Sequence, residues 1–279
     1  MKQVQGDQFL ISFRTDFMVS GRGDHFRWLW PTFVVLSLFM GYIDRARGEW
    51  DLSVGATTRT YPLSGVIEAQ TGYGALLWGD KGSPFYGYTR ARLDTSSAIH
   101  YNSLGAAIEF FPLAFVGMRA GGEAVQNDRK YTAYECGQVN CLGRFYRTFA
   151  EAELSLGAGS LFVQGRWRRE HWTQKEPAAG DFMEPTSGLV MRSQGDFQTV
   201  YQGLMGVNLN PAWAILAGLR YATNDEGDFS RFPFALARWR PGAFQVAAGG
   251  GVFESSEKSR DLSALLQLSW EIAPSIGLH

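Results

Sequence analysis

From Trp50 onward, apolar or small residues alternate with polar ones, and no stretch of 10–12 residues keeps a helical period. The alternation falls into 12 runs: 50–61, 64–78, 84–95, 102–111, 114–126, 144–157, 160–172, 198–209, 213–223, 230–240, 243–254 and 261–272. A period of two is the mark of strands whose faces meet different surroundings. In the last run, Leu262, Ala264, Leu266, Leu268, Trp270 and Ile272 share one face, and Ser263, Gln267, Ser269 and Glu271 share the other. A slip of one residue would reverse every one of them, so the register is fixed.

Turn signals separate the runs. Phe111-Pro112-Leu113, Gly157-Ala158-Gly159, Asn210-Pro211-Ala212 and Arg240-Pro241-Gly242 are tight, and they follow runs four, six, eight and ten. Longer polar connections, 127–143, 173–197, 224–229 and 255–260, follow runs five, seven, nine and eleven. Short and long connections therefore alternate, with the short 61–64 connection after run one as the exception. Each run also has about the 9–11 residues a tilted strand needs to cross a bilayer, whereas soluble strands are nearer 5–6.

These features resemble the bacterial outer-membrane β-barrel class over the whole mature chain: an even strand count, short turns at one end and long loops at the other. The last run, Leu262 to Ile272 with Trp270 as its aromatic, resembles the final strand read by the barrel-assembly machinery, although Ala273 to His279 follow it. No motif points to a named family. The resemblance implies an all-β, transmembrane, antiparallel up-and-down barrel of about 12 strands, with 10 or 14 as alternatives. It also implies an integral outer-membrane address, with lipid and lipopolysaccharide as neighbours.

Composition agrees. Charged residues are 19% of the chain, below the roughly 25% of soluble domains, while aromatics reach 14% and glycines number 33. With 27 acidic and 26 basic residues the balance speaks against nucleic acid as a partner. Only one long apolar run exists, Trp28 to Ile43, which is short for a spanning helix. Arg22, His25 and Arg27 precede it and Ala46-Arg47-Gly48 follows, the pattern of an export signal over residues 1–48 that leaves Glu49 first and 49–279 as the barrel. Met18 is an alternative start, and an uncleaved anchor is the alternative reading of the segment.

Parity assigns the charges. Arg59, Arg90, Arg92, Arg119, Arg147, Arg166, Arg168 and Arg220 fall on the inner face, with Glu68, Glu109, Glu123, Glu151, Glu153, Glu170 and Glu271 against them; Arg238 is ambiguous. A lipid-facing charge costs about 2–4 kcal/mol at the midplane, so these require a polar lumen. Two roles follow. The charges pair and fill the barrel, or arginines left unpaired line a constriction for small anionic solutes. Pairing is the default, but Arg90 and Arg92 on run three, and Arg166 and Arg168 on run seven, are the densest, so a positive stripe could survive it there.

Cys136 and Cys141 are expected to form a disulfide in an outer loop. A metal site needs more ligands than that loop supplies, and no cofactor is implied. Arg169 points outward near the outer rim and, with Arg129, Lys130 and Lys175, could meet lipopolysaccharide phosphates. Outward Tyr73, Tyr146, Trp167, Tyr221 and Trp270 suit interface girdles. His171 also faces outward but has no outward serine opposite, so the chain is not expected to be an enzyme. Three readings remain: a narrow channel, a non-conducting barrel acting through loops 127–143 and 173–197, and a lipid-modifying hydrolase.

Overall fold

The computed structural model describes residues 48–274 apart from 82, 131–135, 137, 138 and 177–179. Of the expected export-signal segment 1–48, residues 1–47 lie outside the described residues and Gly48 begins β1. Twelve strands close a barrel: β1 (Gly48–Arg59), β2 (Ser64–Trp78), β3 (Gly87–Ala98), β4 (Tyr101–Leu113), β5 (Val116–Asn127), β6 (Gly143–Ala158), β7 (Leu161–Gln174), β10 (Asp196–Asn208), β11 (Trp213–Asn224), β12 (Phe229–Trp239), β13 (Phe244–Ser255) and β14 (Asp261–Ala273). Two short strands between β7 and β10, β8 (Phe182–Met183) and β9 (Val190–Met191), pair only with each other.

Every barrel neighbour is antiparallel and adjacent in sequence, apart from β7 with β10, which flank the small hairpin, and β1 with β14, which close the ring. Closure leaves no strand edge, the condition for a sheet to survive in hydrocarbon. The connections 114–115, 159–160, 209–212 and 240–243 lie at one end, with the start of β1 and the finish of β14. Loops 128–142 and 175–195 lie at the other end, with the shorter 225–228 and 256–260. The expected alternation thus holds for the long loops. It fails at 60–63 and 99–100, which are short on the long-loop end, and at 79–86, which is long on the turn end.

The faces follow the alternation. Leu104, Ile108, Met118, Leu161, Val163, Met205, Ile215, Leu262 and Leu266 are all exposed on the outer wall. Trp50 packs on Tyr73 and Trp213 on Trp239 near the turn end, whereas Tyr221 packs on Phe229 near the loop end. Such aromatic bands suit the two interfaces of a membrane. Trp167, expected in a girdle, instead lies midway along β7 beside Tyr201.

Candidate functional site: a lumen in two halves

Much of the interior of β1–β7 is filled by one ion-pair network. Glu109 on β4 is its hub: it receives Arg92 at 2.7 Å, Arg119 at 2.8 Å and Arg90 at 3.1 Å. Arg90 also bonds Asp51 on β1, and Arg92 bonds Asp94 at 2.9 Å. Arg119 passes the chain to Glu151 at 2.9 Å, and Glu151 receives Arg168 at 3.6 Å and Arg166 at 3.5 Å. Glu153 lies 3.7 Å from Arg166. Glu170 binds Arg168 at 2.7 Å, Arg147 at 3.2 Å and the Trp172 indole N–H at 2.8 Å, and Arg147 bonds Glu123 as well.

Cross-strand neighbours produce this chain. Register sets Arg90 opposite Glu109, Glu109 opposite Arg119, Arg119 opposite Glu151 and Glu151 opposite Arg168. Opposite charges on facing positions of adjacent strands meet directly. Six arginines (90, 92, 119, 147, 166, 168) therefore meet seven carboxylates (51, 94, 109, 123, 151, 153, 170). A positive stripe of Arg90, Arg92, Arg166 and Arg168 does not survive the pairing. β3 and β7 lie four strands apart on the same side of the wall, and acidic residues of β4 and β6 stand between them. Asp51 and Asp94 belong to the network by the same parity, but a reading confined to glutamates passes over them.

Apolar groups close this half at both ends. At the turn end, Tyr86, Tyr88, Phe111 and Ala114 are buried together, with Tyr88 stacked on Phe111 at 4.4 Å. At the loop end, the β8–β9 hairpin enters the barrel. Phe182 and Met191 pack on Val125, Phe145 and Trp172, all inward-facing, and Leu189 packs on Val200 and Ala222. Asn224 donates to the Val190 carbonyl at 2.9 Å, and Gln198 donates to the Ser187 hydroxyl at 2.8 Å. The tip is organised by Glu184, whose buried carboxylate accepts from the backbone N–H groups of Thr186 (2.7 Å) and Ser187 (2.5 Å) and from both hydroxyls. Residues 182–191 therefore belong to the lumen, not to the outer surface where a polar 173–197 loop was expected.

The remaining interior, along β10–β14 and the loop-end parts of β1 and β2, is different. A cavity of about 610 Å³ runs from Pro62, Ser64 and His100 at the loop end to Arg238, Gln245 and Gln267 toward the turn end. Leu204, Leu216, Phe232, Phe234, Leu236 and Leu265 line its middle, and Pro185 and Thr186 of the hairpin tip overhang it. Its charged lining residues are Arg59, Arg220 and Arg238, with Glu68 as the one carboxylate among the described residues. At the mouth, burial and the charge of Arg129 hold the His100 imidazole below its ordinary pKa.

Arg220 donates to the Thr186 carbonyl and hydroxyl at 3.4 and 3.5 Å. Arg59 donates to the Pro62 carbonyl at 3.2 Å and lies over Phe253. Arg238 faces inward, which resolves its ambiguous parity. Glu271 pairs with Arg240 at 2.8 Å.

Cys136 and Cys141 are joined, as expected, and pack against Met183 and Val190 of the inserted hairpin. Arg169 does point outward, but it is held by Asp225 and Thr199 at 2.6 Å each and lies over the Phe197 ring. Arg129, Lys130 and Lys175 are exposed on the loops. His171 packs on Phe197 with ring centroids 4.5 Å apart.

No protein-family model and no curated protein matches the chain. Among solved structures it is similar to the NanC porin, at 10% identity and a TM-score of 0.44 over 79% of this chain and 100% of that one. It is also similar to the translocator domain of the autotransporter NalP from Neisseria meningitidis (11% identity, TM-score 0.40, 87% and 95% of the two chains). A third is the KdgM porin (7%, 0.42, 80% and 99%). What they share with this chain is the barrel.

Proposed function

We propose that the chain is an integral outer-membrane barrel that passes small solutes, anions ahead of cations, through a narrow off-centre passage. One observation carries this reading: ion pairs and aromatics fill much of the lumen along β3–β7, whereas a cavity along β10–β14 and the loop-end parts of β1 and β2 is lined by three arginines (Arg59, Arg220 and Arg238) and one carboxylate (Glu68). A low-dielectric wall strengthens the field of such an excess and raises the local anion concentration. The closed ring of strands with its apolar outer wall supports the membrane address. Export under the signal over 1–48, assembly by the barrel-assembly machinery and lipopolysaccharide contact by Arg129, Lys130 and Lys175 belong to the same proposal. In it Arg169 has a lesser part, because Asp225 already neutralises it.

The test is single-channel recording in planar bilayers with a salt gradient. The parent chain should conduct, with a reversal potential on the anion side. Arg220→Gln together with Arg238→Gln should move that potential toward zero. A silent, correctly folded parent would overturn the channel and leave a structural or surface role.

A further inference from the structure

A water-filled barrel interior is ordinarily polar, with apolar residues outside. The inner face of β12 departs from this rule: it reads Ser230, Phe232, Phe234, Leu236, Arg238, an apolar stripe ended by a cation. Leu216, Leu236 and Ala247 are buried together on the inner wall, with Phe162, Leu204, Phe234 and Leu265 packed against them. The stripe faces the cavity, because Leu204, Leu216, Phe232, Phe234, Leu236 and Leu265 all line it.

The rings lie back against the wall because glycines leave them room. A Cβ on Gly218 would come within 2.6 Å of the Phe234 ring, and one on Gly206 within 2.4 Å of Phe162. Arg238 has no carboxylate within 4.0 Å among the described residues. One Nη donates to Asn208 at 3.0 Å and the guanidinium lies 5.3 Å from the Phe162 centroid. Its remaining donors have no acceptor among the described residues. Gln245 and Gln267 also line this end of the cavity and add neutral hydrogen-bonding groups.

We infer that the passage contains a binding site for small amphiphilic monocarboxylates. The carboxylate sits on Arg238, and an aromatic or short aliphatic body lies on the wall formed by Leu216, Phe234 and Leu236. One cation flanked by amides, not a cluster of cations, suits a single carboxylate; the apolar stripe disfavours sugars and other all-polar solutes, which would leave their hydroxyls unpaired. Successive inward residues on a strand are about 7 Å apart, so a head on Arg238 places a body of phenylalkyl length beside Leu236 and Phe234. This inference deepens the channel reading and takes its solute from that same passage.

The test is titration calorimetry of the chain in lipid nanodiscs, which avoids detergent as a competing amphiphile, with protein-free nanodiscs as the blank. The probes are 4-phenylbutyrate, butyrate and 4-phenylbutanol. Phenylbutyrate should bind at least about tenfold more tightly than either of the others. Arg238→Gln should remove its advantage over the alcohol, and Leu236→Gln its advantage over butyrate. Comparing the three probes on the parent chain decides the matter even if a variant fails to fold. Equal affinity for phenylbutyrate and butyrate, or heats matching the blank, would overturn the site. Binding without conductance would leave the site and reject the channel; conductance without binding would do the reverse.

Discussion

Phe182 at the base of the inserted hairpin stacks on Phe145 of β6, with ring centroids 4.9 Å apart and planes 24° from parallel. Both side chains are fully buried, so the hairpin is anchored by a contact that water does not reach. Its tip overhangs the open half of the lumen through Pro185 and Thr186. The segment thus narrows the passage from the loop end.

Replacing residues 182–191 by a short Gly-Ser bridge should therefore raise single-channel conductance, on the order of twofold or more, because it removes the segment that overhangs the proposed path. Phe182→Ala should do less, loosening the anchor and adding open-channel noise. Unchanged conductance in the bridged variant would mean that the constriction lies elsewhere.

The two faces of β14 give a sharper contrast at adjacent positions. Leu266 is exposed on the outer wall and Gln267 lines the cavity. Leu266→Arg should impair assembly, since a charge in hydrocarbon costs about 2–4 kcal/mol near the midplane. Gln267→Arg should assemble normally. Heat-modifiable gel migration reads both; equal effects would contradict the register.

Within the ion network, position decides the cost. Glu109→Gln takes one carboxylate from each of Arg90, Arg92 and Arg119, leaving them Asp51, Asp94 and Glu151, so it should destabilise the barrel by about 3 kcal/mol. Arg166 is a third exposed and its nearest carboxylate oxygen is 3.5 Å away, so Arg166→Gln should cost less than about 1 kcal/mol. Urea titration of the refolded protein in lipid vesicles measures both. A mild Glu109→Gln would show that Asp51, Asp94 and Glu151 suffice for the three arginines.

The address can be read chemically. Protein purified from outer membranes should begin at Glu49 on N-terminal sequencing, after loss of residues 1–48. Recovery of Lys2 or its neighbours would establish that the apolar run Trp28 to Ile43 is retained.

Much of the barrel is legible in the sequence because strand period, face and turn chemistry are local properties. The run 261–272 predicts β14 (Asp261–Ala273) to within a residue, and Arg119, Glu109 and Glu151 fall inside by parity alone. Which charge meets which is not local. It depends on how strands register, and that is why the arginines of runs three and seven read as a stripe until Glu109 and Glu151 are set between them. The hairpin is less legible still. Phe182, Leu189 and Met191 show no period, and their burial comes from fitting the inside of a barrel built by distant strands. Arg238 lies between these cases: its strand is recognisable, but Phe232, Phe234 and Leu236 on the inner face blur the contrast by which parity is read.

The glycines beneath the lumen rings set the calibre of the aperture and the close approach of the strands together. At Gly218 a single methyl would meet both the Phe234 ring and the Gly203 carbonyl, so the ring would have to swing off the wall into the passage. The Gly203 carbonyl is backbone, so the neighbouring strand β10 would have to give as well. The bore of the barrel and the spacing of its staves therefore both hang on residues that have no side chain at all.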